Sequence, residues 1–422
     1  MGFNLIQLQS KVTLSTTVVS CIKKFESAET AFNYKYIQKF EPLIRTALEC
    51  KQIETFEWEI FSGKPKTTDE LVTAFETLSH HCAFTETCIS NDEFDDFIIE
   101  FVKKIQDFDD EHLIKVLENL QRFPQTKNTY SKNFHELWTR LDEVCYERIK
   151  EWNQPILLKF CNLWLKLHLS KIGKFTGKAL TKVCRRIDRL PPKDLVEAMF
   201  YVTVCRSVVV MSDVESRFFQ IFDNLNINEI GIMCLAFFKT ETKMRTFALI
   251  DKLYEKTIED IDIIQDITLV NILKTLRYSS DPSHAPKMKS LSNTIQKRID
   301  KYSLTACLHI AILGTNLQYC HQELIESIVT RYHDNIEKVR LKDIERLTFA
   351  LGLFDFKTTS GIEQKLLLKI IGELKSRLDE VVSHPKCLAS TAHYLTTCGI
   401  HDVEIIKSVL SEKFVNFAYG ET

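Results

Sequence analysis

The chain has 422 residues, of which only 11 are Gly and 9 are Pro. Average usage would supply about 30 and about 21, so the turn-rich sandwiches, Greek keys and propellers are disfavoured. A net charge of −2 gives no global field for nucleic acid or membrane, and 45% apolar residues can fill several cores or a repeat array.

The first 25 residues hold no Asp or Glu but carry Lys11, Lys23 and Lys24 among many Ser and Thr. Two readings stay open: an organelle transit peptide, although the first Arg is Arg45, or an irregular N-terminus of the folded body. Met1-Gly2 does not extend to a myristoylation motif, because position 6 is Ile6. Residues 1–65 are set apart as an N-terminal segment with possible helices.

From Lys66 onward one pattern recurs: a large apolar anchor, then further apolar residues four and seven positions on. Leu71, Phe75 and Leu78 begin it, and Leu113, Ile156, Leu195, Ile230 and Leu269 anchor further copies. Leu304 anchors a weaker one, and Ile344 and Leu388 degenerate ones. The i, i+4, i+7 spacing places each trio on one helix face. Anchors recur about every 40 residues, with room for a second helix between them, such as Asn133–Trp152. Pro155 and Pro191-Pro192 stand at first-helix starts, where a missing N–H costs nothing. Capping boxes are expected at Thr67/Glu70, Asn133/Glu136, Ser212/Glu215 and Asn226/Glu229. The predicted fold is all-α: over residues 66–422, a right-handed solenoid of helical hairpin repeats of about 40 residues.

The longest apolar stretch, Leu304–Leu317, is too short to span a bilayer and is expected to be a buried helix. Thirteen Cys without a CxxC pair read as free, mostly buried thiols of a reducing compartment. His80, His81, Cys82 and Cys88, and Cys387, His393, Cys398 and His401, lack the paired spacing that zinc needs. No phosphate-cradling glycine loop, kinase catalytic loop or nucleophile elbow occurs, so no cofactor and no catalytic residue is expected. The pairs Asp95-Asp96 and Asp109-Asp110 read as a solvated acidic face.

Charge is segregated locally. Between Glu86 and Glu118 there are 11 acidic and 3 basic residues; between Leu165 and Lys193 there are 9 basic residues and one acid, Asp188. Lys171, Lys174, Lys178, Lys182, Arg185 and Arg189, with Arg186 beside them, follow steps of three and four and would form one stripe on a helix, although the Gly173 and Gly177 region can be partly loop. Such a stripe suits a phosphate backbone. Further cations follow at Lys239, Lys243, Arg245, Lys287, Lys289, Lys297, Arg298 and Lys301.

The stretches FDDFIIEFVKKIQDFDDEHLIKVLENLQRFP (Phe94–Pro124), NFHELWTRLDEVCYERIKEW (Asn133–Trp152), RRIDRLPPKDLVEAMFYVTVCR (Arg185–Arg206) and INEIGIMCLAFFKTETKM (Ile227–Met244) resemble the helical region of the FAST kinase domain-containing family. The resemblance rests on many loosely constrained helical positions, not on a catalytic signature. It implies a non-catalytic, mitochondrial matrix protein that binds RNA and acts in processing, stability or translation of mitochondrial transcripts, beside other RNA-processing proteins. The family's C-terminal RAP module, a small α/β unit, has no counterpart in the helical pattern up to Phe417, so its activity is not carried over. The alternative is a protein-binding α-solenoid scaffold whose acidic stretch faces a basic partner.

Overall fold

The computed structural model describes residues 27–38, 67–207 and 209–420. The transit-peptide and myristoylation readings lie outside these residues. The described residues form 21 α-helices and no strand. In chain order they are α1 (Ala28–Ile37), α2 (Thr68–Thr85), α3 (Asp95–Lys104), α4 (Asp110–Leu120), α5 (Lys132–Arg148), α6 (Gln154–Lys166), α7 (Phe175–Cys184), α8 (Pro192–Cys205), α9 (Met211–Ile221), α10 (Ile227–Lys239) and α11 (Phe247–Glu259). There follow α12 (Asp266–Ser279), α13 (Ala285–Gln296), α14 (Leu304–Ala311), α15 (Gln322–Asp334), α16 (Leu341–Leu353), α17 (Ile362–Ser376), α18 (Leu378–Ser383), α19 (Pro385–Thr397), α20 (Val403–Val409) and α21 (Glu412–Tyr419).

They group into two compact units. One runs up to Leu225 and takes in Lys239–Thr242; the other comprises Asn226–Phe238 and the chain from Lys243 on. In the N-terminal unit α2, α4, α6 and α8 pack in succession as one layer, and α3, α5 and α7 as a second. α1 docks on α8, and its Tyr34 hydroxyl donates to Asn162 Oδ1 at 2.9 Å. In the C-terminal unit α12, α14, α16 and α19 form one layer, and α11, α13, α15 and α17 the other. All nine anchors from Leu71 to Leu388 lie on helices, and all but two of them are buried: Ile156 and Leu304 are half-buried.

Two of the four expected capping boxes form. Thr67 Oγ1 accepts from Glu70 N while Glu70 Oε2 accepts from Thr67 N at 3.0 Å. Asn226 and Glu229 exchange the same pair of bonds at 3.2 and 2.9 Å. The other two are corrected. α5 begins after Ser131, so Asn133 lies inside the helix, where its buried amide donates to Ile89 O at 3.0 Å. α9 begins after Val210 with no side-chain cap, and Ser212 is within the helix.

The Leu304–Leu317 stretch is also not one helix. α14 stops at Ala311 and a 3-10 turn covers Leu313–Leu317. There Thr315 Oγ1 donates to Ile312 O at 2.7 Å, and the chain folds back so that Tyr319 N reaches Gly314 O at 3.0 Å.

A joint recurs between second-layer helices and the next first-layer helix. Ile105, Ile149, Ile187, Phe222, Ile261, Ile299 and Ile336 each plug such a joint and are buried. Five of the joints are 3-10 turns. Helix ends leave carbonyls without partners and carry a partial negative charge. A cation from the following second-layer helix meets several of them. Arg148 binds Phe108 O; Arg217 binds Leu190 O at 3.0 Å; Arg331 binds Tyr302 O at 2.7 Å; Arg377 binds Ile336 O at 2.7 Å and Val339 O. The sequence signal for this is a short I-[DEQK]-x-apolar motif (IQDF, IKEW, IDRL, IDKY, IEKV) recurring at about 40 residues or a multiple of that step. It is easily passed over, because each copy alone is four residues long.

Candidate nucleic-acid interface

The basic run between Lys171 and Arg189 is built on α7. Gly173 precedes the helix, and a Cβ there would lie 2.5 Å from Asp142 Oδ1. The bare glycine lets the Asp142 carboxylate of α5 reach the start of α7, where it accepts from Lys174 N at 2.8 Å and Phe175 N at 3.0 Å. Burial raises the Asp142 pKa above the ordinary carboxylate value, and the two backbone donors oppose that shift. Below the helix an aromatic cluster fixes its position. Trp152 stacks on Phe160 at 4.1 Å, and Phe175 meets both rings edge-on.

The run is not one helical stripe. Lys171 and Lys174 precede α7, Lys178 and Lys182 lie on it, and Arg185, Arg186 and Arg189 follow in the turn and 3-10 segment beyond. Lys171, Lys174, Lys178, Arg185, Arg186 and Arg189 are exposed. Arg189 Nε stands 4.0 Å from the neighbouring Asp188 carboxylate, both largely exposed, a pairing worth little.

Lys182 differs. Its ammonium donates to Ile149 O at 2.7 Å, Lys150 O at 2.9 Å and Trp152 O at 2.8 Å. It therefore serves the same joint-capping role as Arg148, Arg331 and Arg377, and three carbonyls occupy the donors that a phosphate would need. Lys182→Met should lower stability by about 1.5 kcal/mol, the usual worth of charge-assisted bonds. Lys178→Met should stay within about 0.5 kcal/mol. Thermal unfolding of the two variants checks this, and equal melting temperatures would contradict the role given to Lys182.

Several of the scattered cations are also engaged. Lys239 lies 3.3 Å from Glu29, Lys287 2.6 Å from Glu255 and 3.2 Å from Asp251, and Arg298 grips Asp262 through two bonds of 2.6 and 3.0 Å. The acidic stretch is less of a solvated face than its composition implies. Asp95 is held by Lys132, and its carboxyl sits below the usual range through that bond. Asp109 caps α4 through His112 N at 2.8 Å, and Asp110 accepts Trp152 Nε1 at 2.8 Å.

Among the described residues no group of three or more His, Cys, Asp or Glu is placed to hold a metal ion. No described helix is long and apolar enough to cross a membrane. Burial pushes the thiols of Cys82, Cys184 and Cys205 up to about 12, so these cysteines are poor nucleophiles.

The described residues form two layered, all-helical units, with an exposed cationic edge around a short helix. No protein-family model matches the chain. It is similar to the FAST kinase domain-containing protein 5, mitochondrial, of Homo sapiens, with 24% identity over 325 residues, covering 76% of this chain and 41% of that protein. The protein of the same name from Macaca fascicularis matches at 24% over the same shares. That of Mus musculus matches at 22%, over 75% of this chain and 40% of its own length. The chain is thus related to the FAST kinase domain-containing family, and it spans about two fifths of the length of these relatives.

Proposed function

We propose that the chain is an RNA-binding protein, a right-handed solenoid of helical hairpins of about 40 residues, that acts without catalysis on mitochondrial transcripts. Its roles would be processing, stabilising or translating these RNAs in the matrix, in company with other RNA-processing proteins. The observation that carries this reading is the exposed run Lys171–Arg189, where Asp188 is the lone acid among six exposed cations and Lys182. The layered packing within each unit and the mitochondrial designation of the relatives support it. Phosphate contacts supply most of such affinity and make it fall with salt.

The test is a charge reversal that spares the structural lysine. Lys178→Glu, Arg185→Glu and Arg186→Glu together should abolish retention of a single-stranded oligoribonucleotide by the full chain. If the residual binding is measurable, its salt slope should be smaller by about 2, as expected for three lost phosphate contacts. Unchanged affinity and slope would remove this edge from the interface. Crosslinking in cells that recovers protein partners but no RNA would favour the scaffold reading instead.

A further inference from the structure

The first-layer helices of the C-terminal unit carry a second cationic surface that the primary structure hides. Lys274 on α12, His309 on α14 and Phe349 on α16 each stand five residues after the anchors Leu269, Leu304 and Ile344. α14 packs against both α12 and α16, so these equivalent positions form one row across the layer. Arg277 and Tyr278 extend the row on α12, and Arg346 on α16. Burial drives the His309 pKa down, and the like charges of Lys274, Arg346, Arg277 and Arg340 push the same way.

The two carboxylates that precede Arg346 on α16 already have partners. Asp343 is clasped by Arg340 through bonds of 2.7 and 3.0 Å, and Glu345 turns to Cys387. Among the described residues Arg277 and Arg346 have no hydrogen-bonded carboxylate. Arg277 is half-buried, held through Nε to Thr315 Oγ1 at 2.9 Å, and lies within electrostatic reach of Arg346. Like charges fixed in a partly dehydrated setting repel, and an anion placed between them removes that cost.

Aromatic rings are interleaved with the cations. Lys274 Nζ lies 5.2 Å from the Phe238 ring and the Arg277 guanidinium 5.3 Å from the Tyr278 ring. Phe238 and Tyr278 pair at 5.8 Å, and Tyr278 is 47% exposed, so part of its ring surface faces solvent. Phe349 continues the series, packed on Tyr394 at 5.3 Å. Cations that take phosphates, alternating with rings that take bases, are the chemistry of single-stranded nucleic-acid grooves.

We propose that Arg277 and Arg346, with the Phe238, Tyr278 and Phe349 rings beside them, form a docking face for single-stranded RNA on the first layer of the C-terminal unit. The inference rests on the RNA-binding reading above but names a different surface, whose cations lie over 80 residues in sequence from the α7 edge.

The experiment compares four full-length proteins by fluorescence anisotropy with a labelled mixed-sequence oligoribonucleotide over a salt series: the wild type, Arg277→Gln with Arg346→Gln, Tyr278→Ala, and the α7-edge charge reversal. The double glutamine variant should bind at least about tenfold more weakly, with a salt slope smaller by about 1.4. Tyr278→Ala should weaken RNA binding by about tenfold, while leaving retention on heparin, which has no bases, unchanged. Circular dichroism melting reports whether each variant is folded, and Arg346→Gln alone serves if loss of the Thr315 bond unfolds the pair. Wild-type affinity in both folded variants, with the α7-edge variant defective, overturns this face and leaves the RNA-binding reading standing. A wild-type chain that binds no oligoribonucleotide overturns both.

Discussion

Acidification from about pH 7.5 to pH 5 should cost the C-terminal unit about 2 kcal/mol through His309 alone. The imidazole is 8% exposed, and burial drives its pKa down from 6.5 to about 3. Lys274 and Arg277 from α12, Arg346 from α16 and Arg340 just before it add like-charge repulsion to the protonated form. A base whose folded pKa is depressed binds its proton more readily when unfolded. Its contribution is therefore fully present above pH 6.5 and is lost progressively as pH falls towards 3. Native-state hydrogen exchange of the α14 amides is the suitable readout, since two units make a single unfolding free energy ill-defined. The opening free energy should fall with acid in the wild type, and fall less in His309→Gln by about 2 kcal/mol at pH 5. Parallel profiles for the two proteins would show that His309 does not titrate in this way.

Replacing Gly314 by Ala should destabilise the same unit by about 3 kcal/mol, the upper range for forced overpacking. An added Cβ would lie 1.9 Å from the Tyr319 carbonyl oxygen and 3.0 Å from its carbon. Backbone cannot swing aside as a lysine tip would. Tyr319 N is hydrogen-bonded to Gly314 O at 3.0 Å, and Gln318 between them holds a left-handed φ of 52°. The methyl must therefore break the fold-back that ends the Leu313–Leu317 turn. Gly372→Ala on α17 is the control: nothing lies within 4 Å of its Cβ. In a helix interior it should gain about 0.5–1 kcal/mol. Native-state hydrogen exchange of the α14 and α17 amides measures both, and a Gly314→Ala protein as stable as the wild type would contradict the close approach.

These results separate what is local in the chain from what is not. The i, i+4, i+7 anchors are legible because the three residues share one helix face whatever surrounds them, and Leu71 through Leu388 all fall on helices. The box at Thr67 is legible for the same reason: both its hydrogen bonds close within four residues. At Asn133 the same residue pattern fails because a carbonyl 44 residues upstream claims the side chain. The joint motif is local too, yet its meaning comes from a cation on the next helix pair.

Charge roles are the least local of all. Lys178 and Lys182 are indistinguishable by spacing, one turn apart on α7. One faces solvent, while the other meets three carbonyls that the chain laid down 30 to 33 residues earlier. Lys274, Arg277 and Arg346 look like isolated cations when read along the chain, because up to 72 positions separate them. Helix periodicity is set by neighbours three and four residues away, so composition and spacing settle the helices. Whether a given ammonium or guanidinium is free to meet a phosphate depends on which distant carbonyl, carboxylate or ring the packed layers bring beside it.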